Sequence, residues 1–223
     1  EFVLTGKKHI FDRRVELTAM RADGTEFPVE LTLTSLQSDG TTLVTGFIRD
    51  ISVQKKSQKE IENFAYYDVL TGLPNRRLLI DRFQHAMATS KRSKAYCALI
   101  FLDLDNFKLL NDTKGHDSGD QVLIEVARRI KRVIRAGDTV ARLSGDEFIM
   151  IIEDLDVDEN MAYKQATEVA KKLLLALNEP CQLEMFEFQA AASLGLVLFN
   201  NDEFSFEDHL RHADTAMYQS KQA

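Results

Sequence analysis

The first fifty residues alternate between hydrophobic and polar positions, a pattern typical of β-strands with one covered face. Alternate residues from Val15 to Ala19 are apolar, and a second alternating run spans residues 27–34. The pairs Asp23-Gly24 and Asp39-Gly40 are turn signals on either side of that second run. The pattern predicts a three-stranded antiparallel meander, whose apolar face is too small to form a core by itself.

Residues 51–66 are instead dominated by Gln, Lys and Glu. Ile51, Gln54, Gln58, Ile61 and Ala65 recur at steps of three and four residues, which predicts a helix with a weak heptad seam. Two interpretations are open. The segment is a solvated connecting helix packed on one side, or it is a parallel coiled coil that joins two subunits and transmits a signal.

From residue 67 onward, helical and strand periods alternate along the chain. Helices are predicted from Pro74, placed in a first turn, to residue 87, and over residues 119–136, 158–178 and 206–221. Strands are predicted over residues 96–102, 139–143, 147–152 and 186–199, with the middle two forming a tight hairpin. A sheet with helices between its strands, including one hairpin, predicts an α+β (α/β) domain.

Charge and cysteine content exclude several classes of function. The 223 residues carry 28 Lys and Arg against 35 Asp and Glu, a net charge of −7. This balance argues against nucleic-acid binding and against a polybasic membrane-surface module, and no apolar stretch is long enough to span a bilayer. Cys97 and Cys181 lie in apolar segments without metal-ligand spacing, which predicts buried thiols in a reducing compartment.

The chain begins with Glu1-Phe2 and has no initiator Met. This start indicates a fragment of a longer protein or a cloning scar. We expect the fragment to be cytoplasmic, although the full-length protein could be anchored in a membrane.

Two acidic clusters are the first candidates for chemistry. The predicted central strand ends at Asp103, with Asp105 two residues later, and the hairpin tip carries Asp146 and Glu147 directly after Gly145. If the hairpin lies beside that strand, three carboxylates converge, and such oxygen ligands suit Mg²⁺ or Mn²⁺ together with phosphates. Helix capping and a solvated turn are the simpler interpretations of the two clusters.

The segment between the two clusters offers candidates for nucleotide recognition. Lys108 is a candidate phosphate contact, and Asn111 and Asp120 could together read a purine. A carboxylate accepts hydrogen bonds from the N1 and the exocyclic amine of guanine, a donor pair that adenine lacks. Taken alone, Asn111 and Asp120 are more typical of caps and turns than of base recognition.

Five ordered segments carry a resemblance to a known family. They are Asp68–Arg76, Asp103–Asp112, Gly115–Asp120, Arg142–Phe148 and Ala213–Lys221. Through these segments, residues 66–223 resemble the GGDEF domain of diguanylate cyclases. The resemblance implies a fold like the palm of nucleotidyl cyclases and polymerases. It also implies a homodimer that condenses two GTP into cyclic di-GMP and two pyrophosphates.

The same resemblance implies a role for each matching residue, with Mg²⁺ or Mn²⁺ as cofactor. The implied metal ligands are Asp103, Asp146 and the Leu104 carbonyl, with Glu147 and Asp146 as catalytic groups of the same cluster. Asn111 and Asp120 would hold guanine, and Lys108 and Lys221 would contact phosphates. Arg135 and Asp138 match the family's inhibitory product site, although Arg and Asp three residues apart are common on any protein surface.

Ser144 departs from the family pattern, because it stands where the signature has its first Gly. The departure favours an alternative function, a catalytically silent module that binds GTP or cyclic di-GMP and regulates an attached phosphodiesterase. A third hypothesis is a pure dimerisation unit built on the 51–66 helix.

Residues 13–56 resemble the C-terminal half of a PAS sensor domain. The resemblance rests on Arg21–Glu30 and on Gly46–Ile51. The predicted organisation is therefore a truncated PAS domain in residues 1–50, a signalling linker helix in 51–66 and a GGDEF domain in 67–223. A phosphodiesterase EAL domain often follows such an arrangement.

Overall fold

A computed structural model describes residues 13–38, 41–183, 187–200 and 204–222. The chain divides into two compact units, residues 1–63 and residues 64–223. No helix in the described ranges is long and apolar enough to cross a membrane.

The N-terminal unit is built on a three-stranded antiparallel sheet in the order β1-β2-β3, as the alternating pattern predicts. Its strands are β1 (Arg14–Met20), β2 (Glu26–Ser38) and β3 (Thr41–Asp50). The first turn closes at Gly24, whose φ of 85° is readily adopted by glycine, and Asp23 accepts a hydrogen bond from the Thr25 backbone N–H at 2.9 Å. Val29 and Ile51 are the buried hydrophobic residues in the described part of this unit.

Helix α1 (Ser52–Tyr66) follows β3 directly. Asp50 begins it by accepting a hydrogen bond from the Ser52 backbone N–H at 2.9 Å. Val53 and Ile61 leave most of their apolar surface exposed. The helix itself is confirmed, whereas its assembly as a coiled coil stays a prediction.

The C-terminal unit is built on a four-stranded antiparallel sheet in the order β5-β6-β4-β9. Its strands are β4 (Cys97–Leu104), β5 (Thr139–Ser144), β6 (Glu147–Ile152) and β9 (Ala192–Phe199). A short ribbon, β7 (Cys181–Gln182) paired with β8 (Glu187–Phe188), precedes β9. Strand β4 is buried along almost its whole length because it is central and covered on both faces.

Helices cover both faces of this sheet. They are α2 (Arg76–Ser93), α3 (Phe107–Lys114), α4 (His116–Val133), α5 (Glu159–Asn178) and α6 (Phe206–Gln222). Helices α4 and α5 pack on the face that contains Ile100 and Leu102. Helices α2 and α6 pack on the other face, against Leu99 and Phe101. The predicted α+β architecture is therefore confirmed.

Several sequence-based boundaries are wrong. Pro74 lies before α2 rather than in its first turn: it pairs with Tyr67 in an isolated bridge, and Asn75 caps the helix through hydrogen bonds from the Arg77 and Leu78 N–H groups. The helix predicted over 119–136 begins earlier and ends earlier, and α3 was not predicted.

Other predictions concern the strand before α6 and the two cysteines. The strand predicted over 186–199 is divided into β8 and β9, and residue 186 lies outside the described residues. Cys97 is buried, and burial raises the pKa of its thiol to about 11, which makes it unreactive. The side chain of Cys181 lies outside the described part of the chain.

Candidate functional site

The two acidic clusters meet at one edge of the four-stranded sheet. Asp103 of β4 is paired directly with Glu147 of β6, and Ser193 of β9 is paired with Asp103 on the other side. Directly paired residues of an antiparallel sheet place their side chains on the same face. That face is the one covered by α2 and α6. The hairpin thus lies beside Asp103, which is the condition under which the sequence favours convergence of the carboxylates.

Asp146 joins this cluster through the hairpin turn. Burial raises the pKa of its carboxyl above the ordinary value, and the negative charges of Asp103 and Glu147 raise it further. Adjacent residues on a regular strand point to opposite faces, but Asp146 lies in the turn that precedes β6. The turn therefore lets Asp146 and Glu147 contribute to the same acidic site.

Lys221, near the end of α6, supplies positive charge to the cluster. Its Nζ donates a hydrogen bond to Asp103 Oδ1 at 2.5 Å and lies 3.6 Å from Asp105 Oδ1. Burial lowers the pKa of Lys221, but the hydrogen bond to Asp103 and the charges of Asp103, Asp105 and Asp146 outweigh that effect and raise it. Asp105 is held in turn by the Ser193 hydroxyl at 2.9 Å.

The hairpin turn is tight and irregular. Gly145 has a φ of 49°, and the strand register shifts between Arg142 and Ser144. The Ser144 hydroxyl donates a hydrogen bond to Glu147 Oε2 at 2.8 Å. The residue that departs from the family signature is therefore in direct contact with a predicted catalytic carboxylate.

Arg142 and Asp68 anchor the hairpin, a role that the sequence analysis missed. Arg142 Nη1 contacts both carboxylate oxygens of Asp68, at 3.1 and 3.2 Å, and its Nε donates to the Gly145 carbonyl at 2.9 Å. Burial acts to raise the pKa of Asp68, but hydrogen bonds from Thr71 and Arg142 hold it below the ordinary value. The two residues are 74 positions apart, so local spacing carries no signal of their contact.

The predicted base-reading residues lie on two consecutive helices. Asn111 is in α3 and Asp120 is in α4, and Gly115, with a φ of 86°, forms the sharp turn between these helices. Asn111 is half-buried, whereas Asp120 and Lys108 are exposed. Gly119, the neighbour of Asp120, lies directly against the Asn111 side chain. The fold thus places Asn111 of α3 directly against Gly119, the residue that precedes Asp120 in α4.

Arg135 and Asp138 lie at the opposite end of the hairpin from the acidic cluster, since they precede β5. Strand β5 places the two regions about 17 Å apart, at about 3.3 Å per residue. Asp138 is buried, and its oxygens accept hydrogen bonds from the backbone N–H groups of Arg135 (2.9 Å) and Glu153 (3.2 Å). Arg135 is exposed, with its Nε 3.6 Å from Asp138 Oδ2. Asp138 therefore fixes the turn, and Arg135 is the accessible member of the pair.

We call the end of the sheet that carries Asp103, Asp146 and Glu147 the acidic edge. Its carboxylate oxygens are ligands that suit a hard divalent cation. The carboxylates of Asp103 and Asp146 repel each other, and a cation bound between them would relieve this repulsion. Within the described ranges, however, no three His, Cys, Asp or Glu side chains are arranged closely enough to hold a metal ion. The assignment of Asp103, Asp146 and the Leu104 carbonyl as metal ligands stays a prediction.

Comparison with known proteins identifies the family. The family profile described as "Diguanylate cyclase, GGDEF domain" matches residues 65–223, so this chain belongs to the GGDEF family. The coiled coil and GGDEF domain of DgcB from Caulobacter crescentus, solved in complex with c-di-GMP, superposes with a TM-score of 0.67. That match is 26% identical in sequence and covers 77% of this chain and 88% of the DgcB chain.

Two relatives from Pseudomonas aeruginosa have names that describe different activities. The bifunctional diguanylate cyclase/cyclic di-GMP phosphodiesterase MucR is 40% identical over 166 residues, which are 74% of this chain and 23% of MucR. The cyclic di-GMP phosphodiesterase NbdA is 41% identical over 162 residues, which are 72% of this chain and 20% of NbdA. The chain thus spans less than a quarter of either relative.

Proposed function

We propose that this chain is a metal-dependent diguanylate cyclase that condenses two GTP into cyclic di-GMP and two pyrophosphates. The observation that carries the proposal is the gathering of Asp103, Asp146 and Glu147 at one sheet edge, with Lys221 bonded to Asp103. A partly buried cluster of like charges is costly to the fold, and such clusters are characteristic of functional sites. Membership of the GGDEF family supports the same reaction.

The acidic edge would bind the metal ion and the triphosphate. Asp103, Asp146 and the Leu104 carbonyl would hold Mg²⁺ or Mn²⁺, with Glu147 beside them. When bound, the cation supplies positive charge to the triphosphate and lowers the pKa of the attacking 3′-hydroxyl. Lys221 would exchange its bond to Asp103 for a phosphate oxygen, and the exposed Lys108 would approach the phosphates from α3.

The α3–α4 turn would bind the base. Asp120 is exposed and can accept hydrogen bonds from the N1 and N2 of guanine, while Asn111 offers an amide from the facing helix. Adenine has an acceptor where guanine has its N1–H, so it would leave the Asp120 carboxylate unpaired. This arrangement supports GTP as the substrate.

Each active site provides half of the reaction, so catalysis requires a homodimer. The 3′-oxygen of one GTP attacks the α-phosphate of the GTP in the other subunit and pyrophosphate leaves; the reciprocal attack closes the ring. We propose that α1 pairs in this dimer, because Ile61, a member of the predicted heptad seam, leaves most of its apolar side chain exposed. The β1–β3 sheet would be the PAS portion that passes a signal into α1.

The test is GTP turnover by the chain with Mg²⁺ or Mn²⁺, at high protein concentration, with cyclic di-GMP detected by mass. High concentration matters because a dissociated chain would be inactive for a trivial reason. Product formation supports the proposal. Absence of product from a protein shown to be dimeric and to bind GTP would overturn it.

A catalytically silent regulatory module is the alternative function, and Ser144 favours it. The Ser144 side chain adds atoms at a position where the family signature has Gly, next to Glu147 of the acidic edge proposed to bind the triphosphate. NbdA, a relative named as a phosphodiesterase, has a matching segment, which is consistent with a regulatory role for such domains. In this case the chain would bind GTP or cyclic di-GMP and control an attached EAL domain.

Replacing Ser144 with glycine distinguishes the two functions. We expect turnover of Ser144→Gly to stay within about threefold of the parent, because the hydroxyl is directed to Glu147 and contributes one exposed hydrogen bond. Steady-state rates of the two proteins, measured at equal dimer fraction, provide the check. A silent parent that gains cyclase activity in Ser144→Gly would instead establish the regulatory module.

We further propose that Arg135 belongs to a product-inhibitory site. A cavity of about 560 Å³ lies beside it and is lined by the cationic side chains of Arg82 and Lys131 as well as by Arg135 and Asp138. Its volume suits a ligand of nucleotide size, and its three cations suit phosphate groups. Because this cavity is at the opposite end of the hairpin, product could bind there while substrate occupies the acidic edge.

Arg135→Ala should relieve product inhibition and weaken cyclic di-GMP binding by about tenfold or more, because it removes a charge-assisted contact to phosphate. Inhibition curves and calorimetric titration with cyclic di-GMP measure the two effects. Arg132→Ala, an exposed substitution on α4 that does not line the cavity, is the matched control. Inhibition that is unchanged in Arg135→Ala would contradict the assignment.

A further inference from the structure

Side chains of α3 lie directly against α4 at Gly119. A methyl group at residue 119 would overlap Asn111 Oδ1 and would lie 3.0 Å from Asn111 Cγ and 3.2 Å from Phe107 Cζ. Gly119 is buried and helical, and it does not have a positive φ. Its lack of a side chain is therefore needed for space between the helices and not for backbone conformation.

The Asn111 amide is wedged into this space without a hydrogen bond at its inner end. Asn111 Oδ1 is buried and has no hydrogen-bond partner among the described residues. A buried amide oxygen without a partner is costly, and such a cost at a native site points to a functional constraint. The Oδ1 end of the amide is thus held against Gly119.

We infer that Gly119 is a positioning residue for purine recognition, an inference that rests on the proposed function. Gly119 leaves space for the Asn111 amide next to Asp120. Two polar groups from different helices would then face one base. An alanine at this position would push the amide away from Asp120 and break the pair. Neither residue of the pair would itself be changed.

Helix propensity makes the effect separable from a general loss of stability. Alanine is a better helix former than glycine, so substitution within α4 would by itself stabilise the helix. A loss of GTP affinity without a loss of stability in Gly119→Ala would therefore report the overlap with Asn111. Ile124→Ala, an exposed substitution on the same helix, controls for unspecific changes in α4.

A double-mutant cycle between Gly119 and Asn111 tests the inference by binding alone. Affinity is measured for a fluorescent GTP analogue with an α,β-methylene bridge, which cannot react at the α-phosphate, and for the corresponding ATP analogue. We expect Gly119→Ala and Asn111→Ala each to weaken GTP-analogue binding by about tenfold and to reduce the preference over ATP. The double variant should bind within about twofold of Asn111→Ala, because the overlapping amide is already gone.

The outcomes separate this inference from the proposed function. Two outcomes would overturn the inference alone. The first is that Gly119→Ala binds the GTP analogue as tightly as the parent does. The second is that Gly119→Ala weakens this binding equally whether or not the Asn111 amide is present. A parent that binds no GTP analogue would overturn both, whereas a parent that binds it but forms no product would overturn only the cyclase. If Gly119→Ala fails to fold, Asn111→Ala should restore folding, and failure to do so would also refute the inference.

Discussion

Glu147→Gln is expected to lower cyclic di-GMP synthesis by about a thousandfold or more while the protein remains folded and binds GTP. The substitution keeps the shape of the side chain and removes its negative charge. Glu147 is paired with Asp103 and influences the pKa of Asp146, so it belongs to the electrostatic centre of the acidic edge. The amide would lack the negative charge that helps to hold a divalent cation, and that cation would stabilise the developing negative charge on the 3′-oxygen.

The measurement combines initial rates, thermal unfolding and titration with the non-reactive GTP analogue. Glu168→Gln on α5 is the matched control, since it removes one carboxylate charge from an exposed pair with Lys171, remote from the acidic edge. Parental turnover in Glu147→Gln would show that the acidic edge is not the catalytic site. Loss of turnover together with loss of folding would instead assign Glu147 a structural role.

Local sequence patterns predicted the parts of the fold that depend on local periodicity. The alternation of β1 and β2 and the apolar run of β4 follow directly from side-chain period and burial. The β5–β6 hairpin was predictable because only a short polar turn separates its strands. Helix α3 was missed because it has eight residues and none of its side chains is fully buried, so its apolar stripe is weak.

The sequence proposes the members of the candidate site but carries no signal of the contacts that organise them. The carboxylates and the base-reading pair lie in short segments whose order along the chain resembles the family. The contacts of Arg142 with Asp68 and of Lys221 with Asp103 join residues 74 and 118 positions apart. Such contacts depend on how elements pack, and no local spacing encodes them. Gly119 and Gly195 were missed for the same reason. Atoms of a neighbouring helix occupy the space that a side chain would need, and the local sequence does not show these atoms.

Gly195→Ala is expected to reduce the free energy of unfolding by about 3 kcal/mol, a value near the upper end for overpacking. Helix α6 packs directly on the backbone of β9 at this residue. A methyl group there would overlap the Ala213 carbonyl oxygen and would lie 2.5 Å from the Met217 backbone N. Both atoms belong to the backbone of α6, so relief requires the helix to move and not merely a side-chain rotation.

The same displacement should reduce catalysis, because Lys221 lies one helical turn beyond Met217 and meets Asp103 from α6. Urea-induced unfolding measures the stability, and rates measured well below the unfolding transition measure the activity of the folded fraction. Gly137→Ala is the stability control, since no atom lies within 4 Å of its added methyl group.

An unfolding free energy for Gly195→Ala equal to that of the parent would contradict the close approach of α6. Preserved stability with reduced turnover would contradict it as well, because a helix that moves without strain was not tightly packed on β9. Reduced stability with full turnover of the folded fraction would show that Lys221 tolerates the shift, and would separate the packing of α6 from the chemistry at Asp103.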